Sequence, residues 1–269
     1  MVRLIYFVIL ALVGWLMGPF IGWAIRSWPG HETLEEEYLD CRNCQGGAKR
    51  GCFQAGYHQD RVYSIFSCII AILSFFLFGF SIKGLLSWVF TVSCLIIGIV
   101  DIRYLIIPDR LSVYGGFIGF AYSIIVYFLL RFGFAPPTFF VHPLDSFYGI
   151  LLGGGSLWLL GWLAWLIFHK EGMGGGDVKL LATIGAWLGW KSVLGVVVIA
   201  SFLGSIGGIS GIIYARIRYH KEYRPLTHLI PFGPYLCIGF LIVFFFGLEP
   251  LFKIMDSYQF LFEKYFLDR

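Results

Sequence analysis

The sequence predicts an all-α polytopic membrane protein of about eight transmembrane helices, with a small cytosolic insert after the first. Three observations carry this. Of 269 residues, 58% are hydrophobic and only 13% charged, where a soluble domain carries about 25% charge. Apolar runs recur at close to the ~20 residues that a helix needs to cross the hydrocarbon. Polar residues are confined to short connections, apart from one sizeable insert at 26–61.

The first run, 4–25, is too long for a secretory signal and has no small-residue cleavage site, so it is expected to remain as an anchor. After the insert, spans are expected near 62–80, 84–100, 111–130 and 147–168. The sixth, 178–189, is short, and its glycine-rich entry suggests a partly buried or re-entrant start. Spans near 192–214 and 230–247 complete the set. Beyond them, 248–269 mixes aromatic and charged residues (FKIMDSYQFLFEKYF), as an amphipathic segment at the membrane interface does. The domain reading is therefore 1–25, 26–61, 62–247 and 248–269. GGG at 153–155 and GSIGG at 204–208 are small-residue stretches that let helices approach closely.

Orientation follows from the basic residues. With the N-terminus outside, thirteen of the twenty Lys and Arg fall on inside segments, among them the dense ARIRYHKEYR. A formal net charge of +4 gives no reason to propose nucleic acid, and basic residues here report topology.

Two aspartates stand out against this background. Asp101 follows the apolar TVSCLIIGIV, and Asp177 follows GMGGG, four glycines (Gly172, Gly174, Gly175, Gly176) in five residues. Carboxylates at membrane depth are costly and mark functional sites by default. The same span count places both at the cytoplasmic edge. Glycines beside Asp177 leave room for an extended substrate backbone, although an Asp at a helix start is also a capping residue. Two carboxylates that share a proton offer one base and one acid for attack by water on a carbonyl. Asp109, after Pro108, reads as a cap close to the site. His169, His220 and His228 form no Ser-His or Cys-His arrangement.

Of six cysteines, Cys68, Cys94 and Cys237 lie in apolar runs and read as small core residues. Cys41, Cys44 and Cys52 lie in the insert, with His58 nearby. Thiolate and imidazole ligands could close a Cys3His zinc site there, or the three could be plain reduced thiols.

GMGGGDVKLLATIGAWLG resembles the G-x-G-D segment of the type IV prepilin peptidases, with Gly174, Gly176 and Asp177 at its defining positions. DIRYLIIPD is similar to their first-aspartate segment, carrying Asp101 and the pair Pro108-Asp109. IPFGPYL resembles the family's PFGP segment, here Pro231, Phe232, Gly233 and Pro234. The likeness covers most of 62–247. It implies an aspartyl peptidase of the bacterial cytoplasmic (inner) membrane, with its active site facing the cytoplasm. Asp101 and Asp177 would be catalytic, Gly174, Gly175, Gly176 and Lys179 the active-site loop, and Asp109 and the PFGP residues neighbours. The implied substrates are prepilins or type II secretion pseudopilins, each with a short basic leader ahead of a hydrophobic helix. The peptidase needs no cofactor.

The same resemblance implies S-adenosylmethionine, because many members methylate the new N-terminus and bind zinc through two CxxC pairs. Here Cys41-x-x-Cys44 keeps one pair. In the first span, Gly18, Phe20 and Pro29 fit the family's segment, Gly22 stands where asparagine is usual, and Arg26 is one place off. The expectation is a retained peptidase, with methyl transfer and zinc left open. The acidic run Glu35, Glu36, Glu37 and Asp40 is either a solvated face or an attraction for a basic leader. Alternatives are a G-x-G-D protease for other single-span proteins, a proton-coupled transporter, and a catalytically silent assembly subunit. A transporter would place its carboxylates near mid-membrane and relate its halves by a repeat, and neither is visible.

Overall fold

The computed structural model describes residues 2–28, 48–135, 137–169, 174–219 and 231–249. Side chains of 2–9, 48–59, 168 and 214–219 lie outside that description. The described residues form eight helices: α1 (Val2–Ser27), α2 (Ala48–Phe78), α3 (Ile82–Tyr104), α4 (Asp109–Arg131), α5 (Pro143–Phe168), α6 (Gly175–Leu188), α7 (Trp190–Tyr219) and α8 (Gly233–Phe246). Each of the eight expected segments holds one of them. Six are long and apolar enough to cross a membrane, and the chain is a polytopic all-α membrane protein. The other two, α6 and α8, have 14 residues each. At 1.5 Å per residue that is about 21 Å, short of the ~30 Å hydrocarbon core. The last part of the expected insert, 48–61, is helical, because α2 begins at Ala48.

Sequence explains most helix ends. The Ser81 hydroxyl caps α3 by accepting the Gly84 N–H at 3.1 Å. Pro108, at φ −62°, cannot continue α3 and instead opens α4. His142 caps α5 through Nδ1, which accepts the Leu144 N–H at 3.3 Å, and Pro143 fills the first turn where no N–H partner is needed. Gly189, at φ 78°, ends α6, and α7 begins at once at Trp190.

The chain divides into two compact units, Met1–Gly115 with Phe128–Phe140, and Gly116–Tyr127 with Val141–Arg269. In the first, α1 lies antiparallel on α2 through glycines spaced every four residues. Gly14 meets the backbone of Ser67 and Cys68, Gly18 meets Ser64, and Gly22 meets Asp60. Ile21, Ala24 and Ile25 of α1 then pack with Tyr63 of α2 and with Val92, Ile96 and Val100 of α3. In the second unit, α5 and α6 touch backbone to backbone. Gly149 lies on Gly185, and Gly153 lies on the Leu181 carbonyl. Two of the three glycines of the GGG stretch pack, Gly154 against Ala182 and Gly153 as above. GSIGG packs too, where Gly204 and Gly207 of α7 face Tyr235 of α8.

The interior is mostly apolar, with a few buried serines, and many large apolar side chains also point outward, as expected of a lipid-facing surface. Buried serines mostly satisfy themselves on their own helix: Ser64 donates to the Asp60 carbonyl, Ser87 to Gly84 and Ser112 to Pro108. Ser146 is different, since its hydroxyl crosses from α5 to the Ala186 carbonyl of α6 at 2.6 Å.

Candidate active site

Asp101 lies in the last turn of α3 and is 5% exposed. Val100 and Ile97, its apolar neighbours along the helix, are buried with it. One turn later the chain leaves the helix through Leu105, a left-handed residue at φ 55°, whose N–H donates to the Asp101 carbonyl at 2.9 Å. Ile107 and Pro108 turn back into the interior, and Asp109 opens α4 on an exposed first turn. Asp101 and Asp109 thus differ sharply in burial, although only eight positions separate them. Arg110 is exposed, with its guanidinium 6.0 Å from the centre of the Trp28 ring.

Asp177 lies in the first turn of α6, with Gly174 at the cap position. Its N–H donates to the Gly174 carbonyl at 3.1 Å. A Cβ built on Gly174 would stand 3.4 Å from Oδ2 of Asp177, so the carboxylate folds back toward the glycine run. Unpaired N–H groups at a helix start favour a negative charge in that place. Among the described residues, Gly175 has nothing within 4 Å of its would-be side chain, which leaves one side of the run open there. Lys179 is exposed, and its carbonyl accepts the Thr183 hydroxyl at 3.0 Å.

Asp101 belongs to the first compact unit, and Asp177 to the second together with Gly174, Gly175, Gly176, Lys179 and the PFGP residues. In that segment Phe232 caps α8, Pro234 sits in its first turn, and Gly233 is buried. The Phe232 ring reaches Gly204 of α7, and α8 also packs on α6. The PFGP residues thus share a packed unit with the Asp177 helix.

The remaining candidates separate into two groups. His169 is exposed and stacks on Trp165. Cys94 and Cys237 are buried thiols and Cys68 is partly buried, in agreement with a packing role. Cys41, Cys44, the acidic run 35–40, His220 and His228 lie outside the described residues, as do the side chains of Cys52 and His58. Among the described residues no group of three or more His, Cys, Asp or Glu could hold a metal ion.

Three features of this region escaped sequence reasoning. The Gly149–Gly185 contact and the Ser146 bond seat α6 on α5, and a glycine pairing across two helices leaves no periodic mark in either one. Leu105 carries no signal at all, because a left-handed cap is normally read from glycine.

The type IV leader peptidase family model matches residues 88–209, which include both aspartates. The chain is 33% identical over 234 residues to a prepilin leader peptidase/N-methyltransferase of Pseudomonas aeruginosa, covering 85% of this chain and 70% of that protein. It is 31% identical over 196 residues to the protein of that name from Xanthomonas campestris, covering 72% of this chain and 60% of the relative. A third from Escherichia coli is 36% identical over 148 residues, 55% of this chain and 57% of the relative. The chain therefore spans less than two thirds of the length of the last two. No solved structure matches. With 85% of its length aligned to a relative at 33% identity, and both aspartate segments inside the family match, the chain belongs to the type IV leader peptidase family.

Proposed function

We propose that this protein is an aspartyl endopeptidase of the bacterial inner membrane. It removes the short basic leader from type IV prepilins or type II secretion pseudopilins at the cytoplasmic face, with Asp101 and Asp177 as its catalytic pair. The observation that carries the reading is the burial of Asp101. An ionisable side chain 5% exposed at the end of an apolar helix is expensive unless used. Asp177 supports it, being a carboxylate at a helix start beside an open glycine run.

The chemistry assigns one task to each protonation state. The ionised carboxylate takes a proton from water as the oxygen attacks the scissile carbonyl. The protonated one donates to that carbonyl oxygen, giving a tetrahedral diol. Collapse of the diol breaks the C–N bond, and a carboxyl proton passes to the leaving amine. A pair that shares one proton titrates as a unit, so neither aspartate is permanently the acid. The glycines at 174–176 admit an extended substrate backbone, Lys179 belongs to that loop, and Asp109 and Pro231–Pro234 are neighbours of the site. Residues 62–247 form the peptidase core, 26–61 a cytosolic insert, and 248–269 an interfacial segment.

Methylation of the new N-terminus is a second activity that the names of the relatives carry. S-adenosylmethionine would supply the methyl group. The insert to which the resemblance assigns that activity, together with the zinc candidates Cys41 and Cys44, falls largely outside the described residues.

Purified protein in detergent or lipid, mixed with a prepilin and S-adenosylmethionine and read by intact mass, tests both activities. Loss of the leader establishes the peptidase, and an added methyl on the product establishes the transferase. Intact substrate across several prepilins would overturn the proposal.

A further inference from the structure

Backbone strain falls at two places that the chemistry would notice. Among the described residues, glycines take most of the positive-φ positions: Gly79 after α2, Gly133 just past α4, Gly189 after α6 and Gly247 after α8. This is the inexpensive solution, because glycine has no Cβ to clash. Two helices end otherwise. Leu105, at φ 55° and ψ 33°, closes α3, and His169, at φ 51° and ψ 32°, closes α5. In sequence these are the helices that lead into the Pro108-Asp109 segment and into the glycine run before Asp177. A left-handed leucine carries an energetic cost and persists only where its surroundings hold it.

At Leu105 the holding contacts are visible. Its N–H bonds to the carbonyl of Asp101, four residues back, at 2.9 Å. On the other side, Ile107 and Pro108 are buried, and the Pro108 carbonyl accepts from Ser112. The side chain of Leu105 itself is 46% exposed, so its packing is not what fixes the residue. The left-handed turn takes up the sharp change of direction between buried Asp101 and buried Ile107.

We propose that Leu105 is a positioning residue for Asp101, acting through its left-handed backbone conformation and not through its side chain. The inference rests on the peptidase reading and adds to it a residue to which that reading gives no role. If the left-handed cap is lost, α3 continues or unwinds past Tyr104, and the last turn carrying Asp101 shifts with it. The consequence inverts ordinary conservatism. Leu105→Gly and Leu105→Asn enter the left-handed region readily despite losing the apolar side chain. Leu105→Ile keeps the side chain, but its β-branch disfavours that conformation.

The test is steady-state cleavage of a prepilin by purified wild type and these three variants, with melting of each followed in the same detergent. Leu105→Ile is expected to lower kcat at least about tenfold with KM little changed, as for a displaced reacting group. Leu105→Gly and Leu105→Asn are expected to stay within about threefold of wild type, well inside that loss. Wild-type turnover by Leu105→Ile would overturn the inference. So would equal losses in all three variants, which would assign the role to the side chain. Failure of the wild type to cleave would instead strike at the peptidase reading itself, so the two failures are told apart.

Discussion

The Arg26 guanidinium grips the Asp60 carboxylate with both arms, Nη1 to Oδ1 at 2.9 Å and Nη2 to Oδ2 at 3.1 Å, and so ties the end of α1 to α2. Gly22 makes this possible, because a Cβ there would collide with Oδ1 of Asp60. The pair itself is partly exposed and is worth up to about 1 kcal/mol. Gly18 is the tighter position, because a Cβ there meets the Ser64 backbone, which cannot yield as the Asp60 side chain can. Gly18→Ala should destabilise by about 1–3 kcal/mol, as overpacking does, and Asp60→Asn by about 1 kcal/mol or less. Thermal melting of both variants in detergent checks the order; a harmless Gly18→Ala would contradict this packing of α1 on α2.

Glycines of the α5–α6 contact should differ by position. Gly149→Ala and Gly185→Ala each push a methyl into the facing backbone, where nothing flexible can yield, and should cost about 1–3 kcal/mol. Gly155→Ala meets nothing within 4 Å and should be neutral or stabilising by about 0.5–1 kcal/mol, the usual gain from removing a helix glycine. Melting temperatures of the three variants decide this.

At Gly175 stability and activity should part. Among the described residues its would-be side chain meets nothing, so Gly175→Ala should melt like wild type. If a substrate backbone approaches that open side, cleavage should fall about tenfold, the effect of a small misplacement at a reacting centre. Full activity would remove Gly175 from the loop that admits substrate.

Asp109 is exposed at the start of α4, where Asp101 is buried. Asp109→Ala should therefore reduce turnover only in part, by about tenfold or less, in keeping with an exposed helix-start charge. Complete loss in a well-folded variant would reopen which of the two is catalytic.

Much of this was legible in the sequence. The eight apolar runs gave eight helices, because hydrocarbon and backbone hydrogen bonding leave an apolar segment few other choices. Asp101 and Asp177 stood out because charge is scarce in such a chain. Gly22 was legible only as a departure from a family pattern; its physical reason, the Arg26–Asp60 pair across two helices, needed coordinates. The start of α2 at Ala48 was hidden because AKRGCFQAGYHQD is polar, and helix there does not depend on apolar periodicity. Leu105 was invisible because nothing in a leucine side chain marks a left-handed backbone, which sequence normally signals with glycine.

The most direct test of the central claim compares wild type with Asp101→Asn and Asp177→Asn, purified folded and assayed for leader removal by intact mass. Asparagine preserves shape but puts an NH2 donor in place of one oxygen and cannot shuttle a proton. Leader removal is expected from wild type, and no product from either variant over times in which wild type converts its substrate fully. Near-normal turnover by either asparagine variant would contradict the two-aspartate mechanism.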